Sequence, residues 1–234
     1  MILALKAETE SEGASWDYLR SLRSLSVQQQ LPMYLKVGGV EAKTDMRLAE
    51  ELQIDGVIAP MVESPFGVEK FASASRDYMF SWRGLTLETK TAYSQIDSIL
   101  RAAAELGING VTIGRGDLAA SLGLRSQEDS SQIMDITLDI CKRAKELGLF
   151  VTMGGKLNPG SITAARKHLV PLDAVETRRY VISYDGETNE VFANLSDSLN
   201  KEMQQETTLA RNLESQRQKS EERIRELTRR LAME

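Results

Sequence analysis

Three stretches of the chain repeat one pattern. "AEELQIDGVIAP" (49–60), "AAELGINGVTIG" (103–114) and "AKELGLFVTMGG" (144–155) each run from an Ala/Glu/Leu-rich helix end through a short turn into an apolar, β-rich stretch. Gly56 and Gly110 stand at the turn, and Gly107 and Gly148 suit helix C-caps. A strand with no polar face must be covered on both sides, which is the condition of a parallel sheet flanked by helices. The repeat therefore commits the chain to alternating helices and strands.

The rest of the chain keeps that rhythm. Further strands are expected at 2–8, 33–39, 84–89 and 174–183, beside those at 56–62, 110–114 and 149–155. Amphipathic helices lie between them, one with Leu19, Leu22 and Leu25 behind Trp16, another with Ile96, Ile99, Leu100, Ala103 and Leu106 at helical spacing. Ser64-Pro65 reads as an N-cap followed by proline at the first helical position. The fold expected is α/β, a compact (β/α) TIM-type barrel with seven or eight parallel strands over residues 1–188. Residues 189–234 change character. They contain no Gly or Pro, are rich in Glu, Gln, Arg and Leu, and read as one long C-terminal helix. Leu195, Leu199 and Met203 form one apolar stripe and Ile224, Leu227 and Leu231 another, with a polar middle that does not support a regular coiled coil. This extension is a solvated helix or an oligomerisation arm.

Bulk properties exclude several functions. The 234 residues carry a net charge of −5. No basic block precedes the C-terminus, and the arginines there alternate with glutamates, so nucleic acid is not expected as a partner. A single cysteine, Cys141, makes neither an internal disulfide nor a cysteine metal cluster. No apolar run reaches membrane-spanning length, and "MILAL" before Lys6 is too short for a secretory signal core. A cytoplasmic protein is the expectation.

In a parallel barrel the strand C-termini share one face, where active sites form. Reading each strand to its end gives Lys6 and Glu8, Lys36, Glu63, Glu88, then Arg115 and Asp117, and Lys156. Charges at strand exits are partly expected from solvation alone. Glu88 and Asp117 are a more specific pair, because neighbouring strands lie about 4.8 Å apart and acids at both ends can reach one cation. A hard ion such as Mg²⁺ takes one or two carboxylates and completes its shell with water and substrate oxygens. Zinc held by histidine has no support, since His168 is the only histidine.

The segments "GVIAPMVESPFGVEKF", "LTLETKTAY", "TIGRGDLAASLG" and "VTMGG", in that order, resemble the HpcH/HpaI aldolase and citrate lyase beta-subunit family, a branch of the phosphoenolpyruvate/pyruvate barrel superfamily. The likeness runs over roughly residues 2–183 and is most specific around Glu88 and in the Gly114-Arg115-Gly116-Asp117-Leu118 segment. It implies Mg²⁺ or Mn²⁺ held by Glu88 and Asp117, and a pyruvate-like 2-oxo acid bound through its carboxylate and keto oxygens. Gly114, Arg115 and Gly116 are then expected to bring backbone N–H groups near the substrate. Lys36 stands where the family has a carboxylate-binding arginine, and lysine is a point charge without the bidentate fork. The family's histidine base has no counterpart near the first strand, where Lys6, Glu8 or Glu10 is left to carry protons.

The function implied is a metal-dependent carbon–carbon lyase or aldolase passing through an enolate, with an aldehyde or acyl partner and assembly as a homo-oligomer. One enzymatic alternative is a Schiff base on Lys6, Lys36 or Lys156. Another reading, from a different class, is a ligand-binding or scaffold barrel that assembles through its C-terminal helix.

Overall fold

The structure, a computed structural model, describes residues 1–9 and 13–231. The chain begins with β1 (Ile2–Glu8), α1 (Trp16–Gln28), β2 (Met33–Lys36), α2 (Lys43–Glu51), β3 (Gly56–Ala59) and α3 (Pro65–Ser75). It continues through β4 (Trp82–Leu87), α4 (Lys90–Ser94), α5 (Ile96–Glu105), β5 (Gly110–Gly114), α6 (Arg115–Ser121) and α7 (Ser131–Glu146). The last elements are β6 (Phe150–Gly154), α8 (Pro159–Lys167), β7 (Ala174–Glu176), β8 (Tyr180–Ser183) and α9 (Thr188–Leu231). Strands β1 to β8 close a barrel in sequence order.

Local signals act where the sequence places them. The Ser64 hydroxyl accepts from the Gly67 N–H at 3.2 Å with Pro65 opening α3. Gly107 and Gly148 adopt φ of +72° and +73° just past α5 and α7, a region open to glycine at little cost. The outward faces of the strands, including Leu35, Val57, Leu85, Ile113 and Met153, share one apolar core with helix residues such as Leu19, Met46, Phe71, Ile99 and Ile140.

The expected strand 174–183 is two strands. Thr177, Arg178 and Arg179 form a turn, and β8 runs back antiparallel to both β7 and β1. The turn needs neither glycine nor proline because the Thr177 hydroxyl closes it, accepting from the Tyr180 N–H at 3.0 Å and the Arg179 N–H at 3.3 Å, while the Thr177 N–H donates to the Tyr180 carbonyl at 2.9 Å. Seven parallel strands plus one reversed strand therefore make the barrel, in place of a uniformly parallel sheet.

Inside the barrel, registered neighbours point the same way. Tyr34, Gly56 and Trp82 align at one level, Ile58, Gly84, Gly110 and Phe150 at the next, and Thr86, Thr112, Thr152 and Ala174 above them. The lower levels are aromatic: Tyr34 and Trp82 stack at 5.6 Å between centroids, and Phe150 meets Trp82 edge-on at 5.4 Å. Glycines make that possible, since a Cβ at Gly56 would lie 2.5 Å from Trp82 Cβ.

By internal contacts the chain forms two units, Met1–Leu195 and Ser196–Glu234. The first takes in the opening turns of α9, where Val191 and Leu195 are buried in the barrel's outer core. The second is helical through Leu231. Among the described residues no helix is long and apolar enough to cross a membrane.

Candidate active site at the barrel mouth

Above the threonine level the lumen becomes ionic. Lys6 on β1 pairs across the barrel with Glu176 at the end of β7, both almost fully buried. Lys36 at the end of β2 lies 3.3 Å from Glu8 Oε1 and 3.8 Å from Glu88 Oε1. Burial works to lower the pKa of the Lys36 ammonium, but Glu88, Glu8 and Glu176 outweigh it and hold it above the ordinary lysine value. Lys36 is thus a fixed cation, suited to binding an anion and unsuited to act as an amine nucleophile, which needs a depressed pKa.

Glu88 is the most constrained acid of the group. It follows β4 directly, and Thr89 anchors that exit by capping α4 (Ala92 N–H, 3.1 Å) and donating to Glu63 Oε1 at 2.6 Å. Its Oε1 accepts from the Thr86 hydroxyl at 2.5 Å and the Met61 N–H at 3.1 Å. Its Oε2 accepts no hydrogen bond among the described residues and lies over Gly114, where an added Cβ would stand 2.4 Å away. One oxygen is locked, and the other rests in space that only a glycine leaves open. Glu176 repeats the device on the far side, its Cγ 3.0 Å from the position of a Cβ on Gly154.

Asp117 stands in the first turn of α6, directly after β5, exposed and without a hydrogen bond or ion pair among the described residues. The structure thus puts both expected metal ligands at adjacent strand exits. Among the described residues no three or more His, Cys, Asp or Glu side chains are grouped to hold a metal, so a cation here relies on this pair, water and substrate.

The expectation for Arg115 concerns its backbone N–H; its side chain has a separate role. Its side chain is fully buried and turns away from the mouth: Nε donates to the Gly154 carbonyl at 3.0 Å and Nη2 to the Gly155 carbonyl at 2.8 Å. Nη1 donates to the Glu128 carbonyl at 3.3 Å and pairs with Asp129. Arg115 fastens the exits of β5 and β6 to the loop before α7. Gly155, at φ +93°, approaches the start of α6 so near that a Cβ there would be 2.6 Å from the Gly116 nitrogen, whereas the side of Gly116 itself is open. Lys156 is 70% exposed and paired with Glu128 at 2.7 Å, away from the other lysines of the mouth. Glu10 lies outside the described residues. Glu176 was not singled out from sequence; the acid–basic run "ETRR" interrupting an apolar stretch was the available signal of a turn at the mouth.

The sequence pattern of the HpcH/HpaI aldolase/citrate lyase family matches residues 35–160. No curated protein matches the chain in sequence. Among solved structures, the HpcH/HpaI aldolase from Desulfitobacterium hafniense DCB-2 is similar with a TM-score of 0.60 at 13% identity, covering 84% of this chain and 82% of the other. The citrate synthase SbnG is similar with a TM-score of 0.60 at 15% identity, covering 86% and 84%. An HpcH/HpaI aldolase/citrate lyase family protein from Burkholderia cenocepacia J2315 reaches 0.57 at 16% identity, covering 70% and 74%. At these identities the structural likeness is one of fold, whereas the family pattern covers the two expected ligand positions and more than half of the chain. The chain belongs to the HpcH/HpaI aldolase/citrate lyase family.

Proposed function

We propose that the barrel mouth is the active site of a divalent-metal-dependent carbon–carbon lyase or aldolase acting on a pyruvate-like 2-oxo acid through its enolate. The observation that carries this reading is Glu88, whose Oε1 is fixed by Thr86 and Met61 while Oε2 sits unbonded over Gly114. That oxygen and Asp117 would hold Mg²⁺ or Mn²⁺, a hard-ion donor set that fits two carboxylates. When bound there, such an ion supplies a Lewis acid for charge developing on the keto oxygen.

The remaining work falls to the chain. Lys36, kept protonated by its acidic neighbours, offers a point charge to the substrate carboxylate. Lys6 is committed to Glu176, so Glu8, at the rim beside Lys36, is the carboxylate placed to take a proton from the carbon next to the ketone. The same ion pairing of Lys6 and Lys36 weighs against a Schiff base at either residue.

The test is proton NMR of pyruvate in D₂O with the protein and Mg²⁺ or Mn²⁺. Loss of the methyl signal that stops on EDTA, and falls by on the order of 10²-fold in Glu88→Gln or Asp117→Asn, is the expected result. Exchange that ignores EDTA and both substitutions would sink the metal-site reading.

A further inference from the structure

Beneath the Lys6–Glu176 pair the barrel is hollow. A cavity of about 270 Å³ occupies the lower lumen, walled by Tyr34, Ile58, Trp82 and Phe150, with Thr152 and Glu176 toward its upper end. Barrel lumens of this class are ordinarily filled by layers of branched side chains. Here Gly84 and Gly110 stand at inward positions between Ile58 and Phe150, the Trp82 ring lies close over both, and the cavity remains beside them. The cavity is larger than the ~150 Å³ apolar void that is known to stay dry and accept a benzene ring.

Its polar groups are few. Among the described residues, Trp82 Nε1 and the Thr152 hydroxyl have no hydrogen-bond partner. Glu176 Oε2 has only a long bond from the Thr112 hydroxyl at 3.4 Å, its Oε1 being engaged by Lys6. A pocket with flat aromatic walls, a carboxylate oxygen short of a donor and a hydroxyl able to donate calls for a ring bearing one amphiprotic group. The carboxylate disfavours an anion, and the apolar walls disfavour a strongly hydrated ligand.

We propose that this lower lumen is a second binding site, distinct from the metal-binding mouth, for a small neutral aromatic molecule carrying a hydroxyl group. Its ring packs against Trp82 and Phe150. Its O–H donates to Glu176 Oε2 and its oxygen accepts from Thr152. The site needs neither metal nor 2-oxo acid, so it stands or falls separately from the catalytic reading.

The probe is 4-fluorophenol, followed by ¹⁹F NMR line broadening with the full chain, in the absence of metal and pyruvate. Saturable broadening is expected, with 4-fluorobenzoate binding at least about tenfold more weakly. Ile58→Phe and Thr152→Ile each place extra carbon in the lumen and are expected to weaken 4-fluorophenol at least about tenfold, with the fold checked by circular dichroism. Two substitutions are used so that misfolding of one leaves the other to report. Broadening that stays linear in probe concentration, that is equal for the benzoate, or that survives the filling substitutions in a folded protein overturns the proposal.

Discussion

Glu88 and Gly114 share one space: Glu88 Oε2 lies 2.4 Å from where a Cβ on Gly114 would be. The side chain at the end of one strand is shaped by the missing side chain at the end of the next. Gly114→Ala therefore forces the carboxylate to move while leaving both proposed ligand residues in the sequence. The expected outcome is a 10- to 100-fold loss of Mn²⁺ affinity, read by electron paramagnetic resonance. Overpacking is expected to cost about 1–3 kcal/mol in urea unfolding. Unchanged Mn²⁺ affinity would show that Glu88 is not a ligand.

Asp117 offers the opposite separation. It is exposed and supports nothing around it. Asp117→Asn is expected to stay within about 0.5 kcal/mol of the parent in unfolding free energy, as surface changes do. Metal-dependent exchange of pyruvate should nevertheless collapse. A variant that loses stability and activity together would mark Asp117 as structural.

Arg115 should behave as a fastener. Arg115→Met leaves the Gly154 and Gly155 carbonyls without this donor and Asp129 without its cationic partner, and is expected to cost about 3 kcal/mol. Thermal unfolding by calorimetry reads the loss directly. A stable Arg115→Met protein with only a raised KM for the 2-oxo acid would give the Arg115 side chain a part in substrate binding instead.

Cys141 gives the chain a pH signature. Burial first, and Asp173 second, push its thiol well above the ordinary 9.0. A folded-state pKa above the unfolded one stabilises fully below the unfolded value, and the contribution is lost as pH rises past it. Stability should therefore begin to fall near pH 9, approaching ~1.4 kcal/mol per pH unit above it. Cys141→Ala should flatten the slope at the onset. Urea titrations at pH 8 and 9.5 make the comparison.

The two ends of α9 are not equivalent. A chain ending at Thr188 loses Val191 and Leu195 from the outer core, about 3–6 kcal/mol at ordinary burial values, whereas a chain ending at Ser196 keeps both. The shorter form is expected to melt markedly lower by calorimetry. Equal melting points would mean that α9 contributes nothing to the barrel.

Much of this architecture was legible because its signals are local. Apolar runs ending in charge marked β1 and β5 to the residue, and Ser64-Pro65 marked the start of α3. Glu88 was legible because an acid ending an apolar strand is conspicuous. The β7–β8 turn was not, because Val175 and Val181 flank it with matching apolar character and a threonine hydroxyl replaces the expected glycine or proline. With that turn unseen, Glu176 read as one more strand residue, and its partnership with Lys6, 170 positions away, had no local trace. The side chain of Arg115 was equally unreadable. Its burial is decided by carbonyls about 40 residues further along.

The reversed strand also sets the order in which the molecule can be completed. β1 is synthesised well before β8, yet one of its edges waits for Tyr180, Val181 and Ile182. Until those residues arrive, that edge is a bare row of peptide groups, the kind of surface on which chains adhere to one another. Pairing over so long a stretch of chain is also slow to form. Ring closure needs residues 180–182, and the Lys6–Glu176 pair bridges the same closing seam.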